Sequence, residues 1–202
     1  MRNNDSRLRE QIDRLGRPAI GTLNREIARH ERKESYRRVA LGVLACLIVT
    51  MAAIIIITNL WVAVLQVDGS SMNPLLQMDE VVLAVRTDSP KKNDVIAFTH
   101  NDKIYIKRVI ALGGDRVDMS KDGTVSVNGE TLKEPYVTSL SRGSCDIELP
   151  FQVPPGSVFV LGDNRPQSLD SRDSRIGTVS GEQIVGKVKF RMWPVLQTGS
   201  IS

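Results

Sequence analysis

A chain of 202 residues has room for one folded domain and an appendage. Its formal charge of +4 is uneven: residues 1–38 hold eleven Lys/Arg against six Asp/Glu, and the remainder sixteen against seventeen. A basic leader on a near-neutral body speaks against nucleic acid as a partner, which would need a basic face on the folded domain.

In the leader, Leu8, Ile12 and Leu15 give a weak helical pattern that breaks at Gly16-Arg17-Pro18 and resumes at Leu23 and Ile27. From Val39 to Val67 no residue is charged, a run of 29 residues. A bilayer core needs about 20 apolar residues in a helix, so the run reads as a transmembrane segment. It is too long, and starts too far into the chain, for a cleaved signal peptide, whose apolar core is ~7–15 residues. Arg32, Lys33, Arg37 and Arg38 crowd the entry, and the next charge is Asp68. The positive-inside rule then assigns the leader (1–38) to the cytoplasm, residues 39–66 to the membrane and 67–202 to the outer side. Cys46 falls in the span and Cys145 in the outer part, so no disulfide framework is expected.

Beyond the span the chain reads as short β-branched strands: residues 80–86, 94–98, 103–111, 124–127, 157–161 and 184–193. Asn128-Gly129 is a hairpin signal. With no helical run between strands, the expectation is a mainly β domain on one N-terminal helix, with residues 136–155 as a long excursion.

"GSSM" (69–72) follows the apolar run directly, and Gly and Ser are also the commonest turn residues. A serine nucleophile needs a base. The sequence holds two histidines, and only His100 lies on the outer side, in a turn between strands. One His, one Cys and scattered carboxylates make no metal cluster there, and no cofactor is implied. A desolvated lysine is the remaining base. Lys107 lies on a strand where Tyr105, Lys107, Val109 and Ala111 share one side, but alternation leaves open whether that side or the side of Ile104, Ile106, Arg108 and Ile110 is inside. A third block, "GDNRPQSLDSRDSRIG" (162–177), crowds polar residues behind an apolar strand.

Together the three blocks resemble the bacterial type I signal peptidases, in the single-anchor form typical of Gram-positive bacteria. Their nucleophile pattern, G-x-S-M-x-P-T-L, fits residues 69–76 apart from Leu75, which makes Ser71 the nucleophile and Ser70 the variable position. The lysine motif fits Tyr105 to Asp115 except at Ala111 and Gly113, with Lys107 as general base. The last motif aligns at Gly162, Asp163, Asn164, Arg165, Ser168, Asp170, Ser171 and Arg172, while Gly177 comes two residues late. By this resemblance Ser168 orients the lysine amine, Asp170 and Arg172 pair to support the loop, and the Ser71 backbone N–H meets the oxyanion. Many relatives offer a second hydroxyl at the position of Gly69. The implied partners are the lipid bilayer and signal-peptide-bearing preproteins, cut after small-x-small tripeptides such as Ala-x-Ala. Two alternatives stay open: a self-cleaving repressor-type Ser-Lys peptidase, and a non-catalytic membrane-tethered module of the same fold.

Overall fold

The computed structural model describes residues 7, 9–11, 20–87 and 89–201. The leader pattern at Leu8, Ile12 and Leu15 lies outside them. The chain divides into two units, Met1–Ile56 and Ile57–Ser202.

The first unit is built on one long helix, α1 (Ile20–Trp61), which ends just inside the second. Its stretch Tyr36–Ile56 is long and apolar enough to cross a membrane. The side chains from Tyr36 to Ile56 are exposed throughout, which distinguishes this helix from the core helix of a soluble domain. Apolar side chains on every face suit a lipid surround.

The second unit is mainly β, with twelve strands in two sheets among the described residues. The larger sheet contains β1 (Val62–Gln66), β2 (Val81–Val85), β11 (Ile184–Trp193), β3 (Val95–His100), β4 (Lys103–Leu112), β9 (Ser157–Leu161) and β10 (Val179–Ser180), in that order. β12 (Gly199–Ser200) pairs with β11. The smaller sheet runs β7 (Glu130–Thr131), β6 (Val125–Val127), β5 (Arg116–Met119), β8 (Phe151–Gln152). Asn128 and Gly129 take φ of 55° and 85°, as a two-residue turn between β6 and β7 requires.

The uncharged run is not helical to its end. Val62–Gln66 form β1, paired antiparallel with β2 from Val62↔Val85 to Gln66↔Val81. Hydropathy cannot separate an apolar strand from the end of an apolar helix, and here an available sheet edge decides the matter. The transmembrane boundary expected at residue 66 is therefore corrected: the helix stops at Trp61, and the strand residues belong to the β unit.

β4 explains why alternation could not place Lys107. Ile106 through Ala111 are all buried, so neither face meets water. Ile106 packs into a cluster with Met72, Leu76 and Val95, whereas Val109 packs with Ile96 and Phe98. A register shift against β9 between Val109 and Ala111 then puts Ile110 and Ala111 together in a third cluster, with Val117 and Phe159.

Candidate active site

The segment after β1 closes into a loop. Val67 N–H donates to the Glu80 carbonyl (2.8 Å) and Asp79 N–H to the Val67 carbonyl (2.9 Å). Met72 and Leu76 anchor the loop in the core, joined by Leu76 N–H to the Met72 carbonyl at 3.0 Å. Gly69 takes φ +118°, a region side chains rarely adopt. Ser71 is left at the loop's accessible face, half-buried.

Thirty-six residues on, β4 carries Lys107 to the same place. Its Nζ lies 2.7 Å from Ser71 Oγ and donates to the Ile106 carbonyl at 3.0 Å. Lys107 is 3 % exposed. Burial disfavours the charged amine and brings its pKa from 10.5 down to about 8; the carboxylates of Asp170 and Asp163 oppose that shift, and the Arg172 guanidinium assists it. A serine hydroxyl beside an amine whose charged form is disfavoured is an arrangement that can supply a nucleophile and a base.

The loop after β9 supports this pair from behind. Gly162 N–H donates to Asp170 Oδ2 at 3.1 Å, and Arg172 makes two hydrogen bonds of 2.8 Å to Asp170. Val160 N–H donates to Ser171 Oγ at 3.0 Å. A Cβ on Gly162 would stand 2.2 Å from Ser168 Oγ and 2.5 Å from the Ser71 carbonyl, so only glycine fits there. Ser168 is buried beside the pair, but the expected hydrogen bond to Lys107 is not made: its Oγ has no partner among the described residues. Lys107 Nζ is directed instead at Ser71 and its own strand's carbonyl.

Two buried arginines complete the support, and neither role was apparent in the sequence. Arg108 makes bidentate hydrogen bonds to Asp163 (2.8 and 2.7 Å) and lies 4.0 Å from the centre of the Tyr136 ring. Arg165, wholly buried, pairs with Glu134 (3.0 and 2.6 Å) and donates to the Gly162 carbonyl at 3.0 Å. Tyr136 O–H donates to Glu134 Oε1 at 3.0 Å; burial, then the Glu134 charge, push the phenol's pKa well above its usual value. Asp163 and Arg165 stand in a visible motif, and Arg108 adjoins Lys107. Glu134 carried no signal, since a carboxylate in a polar excursion usually faces water.

Ser71 and Lys107 open onto a groove of about 810 Å³. Its walls are the residues from Val64 to Met72 on one side and Lys103 to Lys107 on the other. Among the described residues, the β1 end of the large sheet carries no further strand. His100, packed edge-on to Tyr105, does not line the groove. Among the described residues, no group of three or more His, Cys, Asp or Glu is placed to hold a metal ion.

A family model described as "Signal peptidase, peptidase S26" matches residues 39–193. The chain is 39 % identical over 147 residues to a signal peptidase I of Bacillus caldolyticus, covering 65 % of this chain and 79 % of that one. To a signal peptidase I of Bacillus amyloliquefaciens it is 30 % identical over 175 residues, covering 81 % and 94 %. Signal peptidase IB of Staphylococcus aureus is 38 % identical, with 63 % and 76 % covered. A crystal structure of a signal peptidase I from Enterococcus faecalis aligns with a TM-score of 0.41 at 32 % identity, covering 49 % of this chain and 96 % of that one.

Proposed function

This chain belongs to the signal peptidase family S26, whose members are serine peptidases, and from that premise we propose that it removes signal peptides from exported preproteins with Ser71 as nucleophile and Lys107 as general base. The observation that carries the reading is the 2.7 Å approach of Lys107 Nζ to Ser71 Oγ, made by a lysine buried enough to lose its proton around pH 8. As Ser71 Oγ attacks the scissile carbonyl, neutral Lys107 takes its proton. The oxyanion forms against the Ser71 N–H, and the Lys107 ammonium then protonates the leaving amine. Water, deprotonated by the same lysine, hydrolyses the acyl-enzyme. Asp170 and Arg172 hold the loop behind the lysine. Ser168 supports the amine during turnover, a role suggested by its free, buried hydroxyl.

The preprotein lies extended along the groove, with small residues at alternate positions before the cut, as in Ala-x-Ala. The apolar part of α1 from residue 39 onward spans the bilayer, with residues 1–38 cytoplasmic and the β unit outside; the basic entry flank and the lone Asp68 at the exit support that orientation.

The test is incubation of the detergent-solubilised chain with a purified preprotein. We expect one cut after Ala-x-Ala, abolished in Ser71→Ala and largely kept in Ser70→Ala. A dead Ser70→Ala with a live Ser71→Ala would reassign the nucleophile. Ser168→Ala should lower kcat far more than it raises KM; weaker binding at unchanged kcat would remove Ser168 from the lysine's support.

A further inference from the structure

One residue grips the carbonyls on both sides of the nucleophile. Asn164 N–H donates to the Ser71 carbonyl at 3.0 Å, and Asn164 Nδ2 donates to the Ser70 carbonyl at 3.0 Å. The same nitrogen lies 3.4 Å from Gln167 Oε1, which also accepts from Ser70 Oγ at 3.0 Å. Both partners of Nδ2 are acceptors, which fixes the orientation of the amide.

The Ser70 carbonyl accepts a second hydrogen bond, from Asn73 N–H at 3.1 Å. With both lone pairs engaged, the peptide plane joining Ser70 to Ser71 is held. That peptide is trans, so the Ser71 N–H points opposite to the Ser70 carbonyl and away from Asn164. The N–H donates to no group among the described residues, and Ser71 lines the groove.

We propose that Asn164 is the positioning residue of the oxyanion hole: by holding the Ser70 carbonyl, its side chain aims the Ser71 N–H at the scissile carbonyl oxygen. The inference rests on the peptidase reading above. It bears on a particular weakness of this chain, because Gly69 brings no hydroxyl to the site and its own φ of +118° gives the approach no side-chain restraint. The aim of one backbone donor then matters more. The loop carrying Asn164 is secured independently of that side chain, by Arg108 on Asp163 and by Arg165 on the Gly162 carbonyl. Removing the amide should therefore leave the loop in place and free only the peptide plane.

The test compares the full chain with Asn164→Ala and Asn164→Leu, the latter keeping the bulk without the donor. Substrates and probes are a preprotein peptide, the matching peptide aldehyde, and the matching peptide whose scissile carbonyl is reduced to CH2. Loss of a whole oxyanion donor lowers kcat about 10²–10³-fold, so a misaimed donor should lower it about 10- to 100-fold with KM within about twofold. Aldehyde affinity should fall by a similar factor, the reduced peptide should bind as before, and the midpoint of the pH profile should not move. An unchanged kcat, a loss appearing in KM alone, or a shifted pH midpoint in both variants would overturn the proposal. A parent chain without Ser71-dependent cleavage would instead overturn the peptidase reading, before any variant is compared.

Discussion

Replacing Lys107 with Met retains the stem's bulk and removes the buried amine. Lowering the amine's pKa from 10.5 to about 8 costs the folded state about 3 kcal/mol, at ~1.36 kcal/mol per pH unit. The cation is the disfavoured form. Below pH 8 both folded and unfolded chains are protonated there and the cost is felt in full; between pH 8 and 10.5 the unfolded chain binds the proton more and stability rises; above that both are neutral and the cost is gone. The substitution also removes the hydrogen bonds to Ser71 and the Ile106 carbonyl, each worth about 0.5–1.5 kcal/mol net. At pH 7 the variant should be about 1 kcal/mol more stable than the parent, a Tm gain of about 2–4 °C. Toward pH 10.5 the advantage should vanish and reverse. Activity should be lost, while the parent's kcat/KM climbs from about pH 7 to about pH 9 with its midpoint near 8, set by Lys107. Calorimetric melts at about pH 7 and 10 and one pH–rate profile suffice. A variant less stable than the parent at pH 7, beside a flat parent profile, would refute the account of Lys107 as a desolvated base.

Gly162→Ala forces a methyl against the Ser71 carbonyl, and a displacement of ~1 Å at a nucleophile costs about 10²-fold in rate; near-parental turnover of the purified variant would contradict the packing described. Glu134→Ala leaves Arg165 as a buried, unpaired cation, and urea titration should show a loss of about 3–5 kcal/mol; a loss below about 1 kcal/mol, the level of a surface pair, would mean that water reaches the arginine. A chain beginning at Val62 should fold and cut peptides slowly, whereas one beginning at Val67 lacks β1 and a wall of the groove and should not. Both should need detergent, since Trp193, Val195 and Leu196 are exposed. Equal activity of the two would show β1 to be dispensable.

The parts of the fold legible in the sequence were those whose pattern is local. Strands Ser157–Leu161 and Ile184–Trp193 stand where their β-branched runs put them, and the Asn128-Gly129 turn needed only two residues to be recognised. β1 is hidden inside an apolar run, and Arg116–Met119, four residues long and half polar, carries too short a pattern to read as a strand. In the site, the motifs carried Ser71 and Lys107 to the same point, although the burial of Lys107 depends on three clusters meeting around one strand. The Ser168 hydroxyl is near but unbonded, a matter of rotamer that no spacing encodes. Glu134 is silent in the sequence because its importance lies wholly in its partner, 31 residues away.

The excursion between β7 and β8, residues 132–150, is the longest stretch of the β unit without a strand, and it includes the serine- and glycine-containing run from Ser139 to Ser144. A protease cuts chain that can be drawn out straight with its carbonyls free. Here the Ser141 and Arg142 carbonyls both accept from Arg172, Asp146 Oδ1 accepts from Ser174 N–H, and Glu134 is locked onto Arg165. Lifting this segment into any cleft, a neighbouring copy's included, means first pulling it off two buried arginines, Arg165 and Arg172. For a peptidase, a segment held this way is a poor substrate for a neighbouring copy. The clamp that steadies the loop after β9 also keeps the blade from its own handle.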